Sequence, residues 1–137
     1  MRLFVDTSAW FALYNKGDEA HGRASRFWKE LRRKSARLVT TEHVFGESIT
    51  LIRARGGHAA ACRLGNFLLS SQIVEIADVP AQTRARAWEV FVKYADKDFS
   101  FTDCTSFVVM RELGLTDAFT FDDHFAQMGF TLRPSRG

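Results

Sequence analysis

Leu3-Phe4-Val5-Asp6-Thr7-Ser8 is the stretch from which the fold can be read. Three apolar residues stop abruptly at an acid and two hydroxyls, before any helical periodicity has begun. That is the pattern of a short buried strand whose carboxyl end delivers a carboxylate to the edge of a sheet. A functional site is therefore expected to begin at Asp6.

Working outward, residues 9–14 are apolar on every side and predict a helix that needs cover all round. Ala20, Ala24, Phe27 and Leu31 recur at spacings of four, three and four, an amphipathic helix over 19–34 with Trp28 beside its stripe. A second strand is expected over 36–40. A helical hairpin follows over 44–55 and 58–69, broken by Gly56-Gly57. Ile73-Val74-Glu75-Ile76 reads as a third strand. Pro80 suits the first turn of a helix whose core stripe is Ala81, Ala85, Trp88, Val92 and Ala95, ending near Asp96. A helix over 102–113 closed by Gly114, a fourth strand over 118–121, a short helix over 122–127 and a fifth strand over 130–132 complete the chain.

Strands separated by helices over almost the whole length predict an α/β fold with a mostly parallel central sheet of about five strands. No internal repeat, low-complexity segment or linker divides the chain, so residues 1–137 are expected to form one domain. At this length a core can form without disulfides or metal staples. The 46% hydrophobic content and 13 Phe supply it. Cys62 and Cys104 lack metal-site spacing, no apolar leader opens the chain, and no run approaches the roughly 18 apolar residues of a spanning helix. These features lead to the expectation of a soluble cytoplasmic protein with free thiols.

The 19 basic residues, most of them Arg, outnumber 16 acidic ones. Arginine's planar fork pairs bidentately with phosphate, so the bias favours a phosphate-rich partner. The acids matter more by position than by number. Asp6, Asp103 and Asp122 stand at or just beyond strand ends or helix starts, where ligands bind in open parallel sheets. Glu47 shares a helix face with Val44 and Leu51. Gathered carboxylates repel and raise one another's pKa, which is costly unless a cation neutralises them. Mg²⁺ or Mn²⁺ suits an all-oxygen set with no His or Cys cluster, and keeps waters, one of which can attack a phosphodiester. Each acid also has a structural explanation: Ser100 with Asp103, and Thr120 with Asp123, have capping-box spacing. Asp6 has less to gain from capping, because it ends a strand.

Phe4-Val5-Asp6-Thr7-Ser8-Ala9, the Glu47 helix, Ser100-Phe101-Thr102-Asp103-Cys104, and Thr120-Phe121-Asp122-Asp123-His124-Phe125 with Gly129-Phe130 together resemble the PIN-domain ribonucleases, most closely their VapC-type toxin branch. The resemblance spans essentially the whole chain and rests on the order and spacing of four acidic blocks. It implies a three-layer α/β/α sandwich and an endoribonuclease dependent on Mg²⁺ or Mn²⁺. It also implies the toxin role in a type II toxin-antitoxin pair, a cognate antitoxin partner and a homodimer. Carried over by position, Asp6, Glu47, Asp103 and Asp122 are the catalytic acids, with Asp6, Asp103 and Asp122 as metal ligands. Thr7, Ser8 and Thr102 are hydroxyls near the site. Asp123 shares or exchanges the role of Asp122, and Asp98 is a lesser candidate.

With the four acids set aside, 19 basic residues face 12 acidic ones, giving a basic rim for RNA around an acidic hole. His21, His43, His58 and His124 lack metal-site spacing and read as surface or packing residues, His124 being the one placed to touch a substrate phosphate. Trp10, Phe11 and Trp28 read as core, on the two helices where the resembled toxins receive partners. The alternative function is a PIN-domain nuclease that processes structured or ribosomal RNA without a toxin role. A dehalogenase-type phosphatase also opens on an apolar strand ending in Asp, but needs a second Asp where this chain has Ser8. A purely RNA-binding module would leave its acids repelling phosphate.

Overall fold

The computed structural model describes residues 1–136, so the last position of the expected 1–137 domain lies outside the described residues. Its centre is β1 (Arg2–Val5), in which Leu3, Phe4 and Val5 are wholly buried. In chain order there follow α1 (Thr7–Tyr14), α2 (His21–Arg33), β2 (Arg37–Thr41), α3 (Glu42–Gly56), α4 (His58–Ser70), β3 (Val74–Ala77), α5 (Ala81–Lys93), α6 (Phe101–Glu112), β4 (Asp117–Phe119), α7 (His124–Gln127) and β5 (Thr131–Arg133).

The five strands lie in the order β3-β2-β1-β4-β5, and every pairing is parallel. The expected mostly parallel sheet is thus entirely so. The chain first moves from β1 through β2 to β3, then returns across β1 to β4 and β5. Right-handed crossovers in opposite directions fall on opposite faces. In keeping with this, α1 packs on α2 and α3, and α3 on α4, while α5 packs on α6 and α6 on α7. The strand order reverses between β1 and β4, and a crevice outside their carboxyl ends is where such a sheet places its ligand.

Phenylalanines fill the core at edge-to-face angles: Phe27 lies 4.9 Å from Phe119, Phe99 5.0 Å from Phe107, and Phe107 5.1 Å from Phe125. Gly57, with φ 94°, turns the chain between α3 and α4, and Gly114, with φ 70°, ends α6, where side-chain-bearing residues would be strained. Among the described residues no helix is long and apolar enough to cross a membrane.

The α5 stripe needs correction. Trp88 is 57% exposed and Val92 58%, while Thr83 and Ala87 are buried. Thr83 hydrogen-bonds Glu112 of α6 at 2.8 Å, so the inner face of α5 consists of small side chains that allow close approach to α6. The large ones remain outside, where Trp88 stacks on Phe91 at 5.6 Å. α2 starts at His21 rather than 19, α5 ends at Lys93, β4 ends at Phe119, and α7 starts at His124. Trp10 is fully buried and packs edge-on to Trp28, as a core residue should.

Candidate active site

The β1–α1 junction builds the first wall. Asp6 is the N-cap of α1, which corrects the expectation that this acid has little to gain from capping. Its backbone N–H donates to Phe119 O at 3.0 Å, fastening it to the neighbouring end of β4. Its Oδ2 accepts from Ser8 N at 3.4 Å, Ser8 Oγ at 3.0 Å and Thr120 Oγ1 at 3.0 Å.

Both hydroxyls are aimed from behind. Phe121 N donates to Ser8 Oγ at 2.9 Å, and Asp122 N donates to Thr120 Oγ1 at 3.0 Å. Since backbone donors occupy a lone pair of each oxygen, both O–H groups are free to point at Asp6. Oδ2 is therefore saturated, whereas among the described residues Oδ1 makes no hydrogen bond.

Asp103 is held in a comparable way from α6. Ser100 and Asp103 form a full capping box, each backbone N–H donating to the other's side chain at 3.0 Å. Asp103 Oδ2 also lies 2.8 Å from His124 Nδ1, which is 3.3 Å from Asp122 Oδ2. The capping-box spacing is realised, and the same residue lines the cavity, one oxygen of Asp103 serving the helix. Asp122 accepts from His124 N at 2.9 Å.

Asp6, Asp103, Asp122 and Glu47 face one cavity of about 310 Å³, with Thr7, Ser8 and Phe121 among its walls. Asp6 is only 4% exposed and Asp103 7%. Burial, and then the charge of Asp103, pushes the Asp6 carboxyl up to about 7, although the hydrogen bonds from Thr120 and Ser8 oppose the rise. Burial likewise raises Asp103, against the Ser100 N–H and His124. Cys104 is buried next to Asp103, and its thiol is pushed up to about 11, chiefly by burial, so it stays protonated.

The candidates thus divide. Asp6, Asp103, Asp122, Glu47, Thr7 and Ser8 come together at the cavity. Glu47 is exposed, on the α3 wall. Thr102 spends its carbonyl on Thr105 and Ser106 within α6 and does not line the cavity. Asp98 is exposed and lies outside it. Asp123 pairs with Arg136 instead, so the geometry separates it from Asp122. Its expected capping box with Thr120 is not formed, because Thr120 Oγ1 receives Asp122 N.

Three residues at the site escape the sequence reading, one holding Asp6 from behind the cavity and two in its wall. Thr120 was counted as a strand residue, yet it follows the strand end in the way Thr7 and Ser8 follow β1. Asp18 and Glu19, read as a helix break and a helix start, lie in the turn between α1 and α2 and also line the cavity. His124, the one histidine expected to be placed for a substrate phosphate, has a ring nitrogen that lies with carboxylate oxygens of Asp103 and Asp122 within 4.8 Å of one another.

The PIN domain family matches residues 3–131. The chain belongs to that family. Within it, this PIN-domain protein is 42% identical over 133 residues to the 23S rRNA-specific endonuclease VapC20 of Mycobacterium tuberculosis, covering 96% of this chain and 98% of the relative. That match places it in the VapC branch of ribonucleases. The crystal structure of the same relative, described as a sarcin-ricin loop cleaving toxin, matches with a TM-score of 0.87 at 40% identity, over 94% of this chain and 96% of that one. A VapC ribonuclease from Archaeoglobus fulgidus is 27% identical over 92% of this chain and 80% of its own. VapBC2 from Rickettsia felis, bound to a promoter DNA fragment, shares the fold with a TM-score of 0.70 at 14% identity over 97% of this chain and 98% of that one.

Proposed function

We propose that this VapC-type PIN protein is a divalent-metal-dependent endoribonuclease and the toxin of a toxin-antitoxin pair, with residues 1–137 acting as one domain. The observation that carries the metal is the convergence of Asp6, Asp103 and Asp122 from distant parts of the chain into one cavity, two of them buried like charges. The residues fit a hard cation. Asp6 keeps one oxygen without a hydrogen-bond donor, and Thr7 Oγ1 is buried without a partner among the described residues. Carboxylate oxygens suit Mg²⁺ or Mn²⁺, and His124 serves them by orienting Asp103.

Asp6, Asp103 and Asp122 would hold the ion. When bound, it supplies positive charge to the phosphate and lowers the pKa of a water. Ser8 and Thr120 hold Asp6 rigid, the capping box holds Asp103, and Glu47, exposed on its wall, is free to accept a proton. The substrate proposed is a structured loop of ribosomal RNA, the class named for the M. tuberculosis relative. The toxin reading of the sequence is kept, with ribosomal RNA as its substrate, and the alternative of a processing nuclease without a toxin role is not. A cognate antitoxin and a second copy are the proposed protein partners, and the exposed Trp88-Phe91 surface is available to one of them.

The test uses a synthetic sarcin-ricin loop RNA with Mg²⁺ or Mn²⁺. Cleavage by the wild type should be abolished by EDTA. It should also fall by more than about a hundredfold in Asp6→Asn and Asp103→Asn, beyond the effect typical of outer hydrogen-bonding partners. Full activity in both variants, with EDTA harmless, would overturn the reading.

A further inference from the structure

The acidic cavity adjoins a cluster of arginines that the chemistry above does not use. Phe121 lines the cavity, and the guanidinium of Arg23 lies over its ring, with Cζ 5.4 Å from the centroid. Arg23 and Arg26, one helical turn apart on α2, line a second, shallower cavity of about 190 Å³ with Phe27, Glu30 and Pro134. Both arginines are exposed, and among the described residues neither forms an ion pair. Arg136 reaches the same corner, donating to Phe121 O at 3.4 Å, but its charge is taken by Asp123.

Lys34 pairs with Glu30, Arg86 with Glu112 and Arg133 with Asp117, whereas other exposed cations such as Lys29 and Arg55 form no ion pair among the described residues. It is therefore their place beside the cavity that singles out Arg23 and Arg26. Glu30, the acid nearest to Arg26 in that shallow cavity, is committed to Lys34 at 2.8 Å. Two unpaired guanidinium groups are thus left beside a site that handles phosphodiesters. Arg23 also lies over an aromatic ring, a cation–π contact that leaves the edge of its fork open to a phosphate.

We propose that Arg23, seated on Phe121, and Arg26 form a phosphate track that carries the RNA backbone out of the catalytic cavity along α2. This rests on the ribonuclease reading above. The acids hold the scissile group, and the track sets which neighbouring nucleotides are gripped. Arg23 and Arg26 are therefore binding residues whose loss is felt in KM more than in kcat.

The experiment measures cleavage of the sarcin-ricin loop RNA by the full chain, and binding of the fluorescein-labelled RNA to the Asp103→Asn protein, over a range of salt. Arg23→Ala and Arg26→Ala should each raise Kd and KM about five- to tenfold. Each should also reduce the slope of log K against log salt by about 0.7 to 0.9, the change expected when one phosphate is no longer neutralised. Arg23→Lys keeps the charge but not the fork, and should recover the salt slope more than the affinity. Arg55→Ala, at the far end of α3, should change neither quantity, and thermal melting of all four variants should match the wild type. Unchanged KM and salt slope in Arg23→Ala with Arg26→Ala, in a wild type that cleaves, overturns the track and leaves the nuclease standing. An equal loss in Arg55→Ala overturns it too, because diffuse charge would then suffice. A wild type that neither binds nor cleaves the RNA overturns both readings.

Discussion

The two edges of the sheet both crowd like charges, and they resolve the crowding in opposite ways. At the amino edge, Arg2 of β1 is in register with Arg37 of β2. Both side chains are exposed and splay apart: Arg2 donates to Leu113 O at 3.3 Å and nears Glu75 at 4.0 Å, while Arg37 donates to Gln72 O at 3.0 Å. At the carboxyl edge Asp6 and Asp103 are buried, and each has one oxygen fixed by the protein while the repulsion remains. Cavity size does not separate the two, since the one at the amino edge is larger, about 380 Å³ against 310 Å³. What distinguishes the active edge is unrelieved charge held in rigid geometry.

The largest effect should come from titrating that charge. The folded-state carboxyl of Asp6 is raised from 3.8 to about 7, so between those values the native protein binds more protons than the unfolded one. Its contribution to stability is then present in full below about pH 4 and is lost as pH rises through 7; the raised Asp103 adds in the same direction. Urea unfolding of metal-free protein should show stability falling across this window relative to Asp6→Asn. Mn²⁺ at a hundred times its dissociation constant should add back about 2.7 kcal/mol at neutral pH. Parallel curves for wild type and Asp6→Asn would mean that the two edges do not differ as described.

A smaller effect is expected from the scaffold behind Asp6. Thr120→Val removes the hydroxyl that fixes Oδ2 and leaves the Asp122 N–H without its acceptor. Metal affinity or activity should fall roughly 10- to 100-fold, as for other outer hydrogen-bonding partners. Calorimetric titration with Mn²⁺ measures it, and an unchanged affinity would show that Ser8 alone suffices.

These regions also show what the sequence could and could not reveal. β1 was legible because a run of apolar residues ending in Asp can hardly do anything else in an α/β chain, and the acids at strand ends followed from the parallel topology. The role of Thr120 behind Asp6, and the contact of His124 with Asp103, were not legible. They join residues 114 and 21 positions apart, which no local periodicity encodes. α5 failed for a related reason. Its Trp88 and Val92 fit a core period, yet packing against α6 favours the small face carrying Ala87, a choice that depends on the partner helix. Asp6 was misjudged in the other direction, because a strand end and a helix cap can be the same residue when no loop separates them.

The smallest expected effect lies at the amino edge. The Arg2–Glu75 pair is separated by 4.0 Å, and its side chains are 45% and 59% exposed. Such a pair is screened by solvent and contributes at most about 1 kcal/mol. Arg2→Ala also removes the like charge opposite Arg37, which offsets part of that loss. A double-mutant cycle of Arg2→Ala with Glu75→Ala, read from urea midpoints, should therefore give a coupling below about 0.5 kcal/mol that vanishes at high salt. RNA cleavage should be untouched, since neither residue lies at the carboxyl edge. A coupling of several kcal/mol would instead make the amino edge a second place of tightly held charge. The contrast between the edges would then rest on the sign of the charge rather than on its burial.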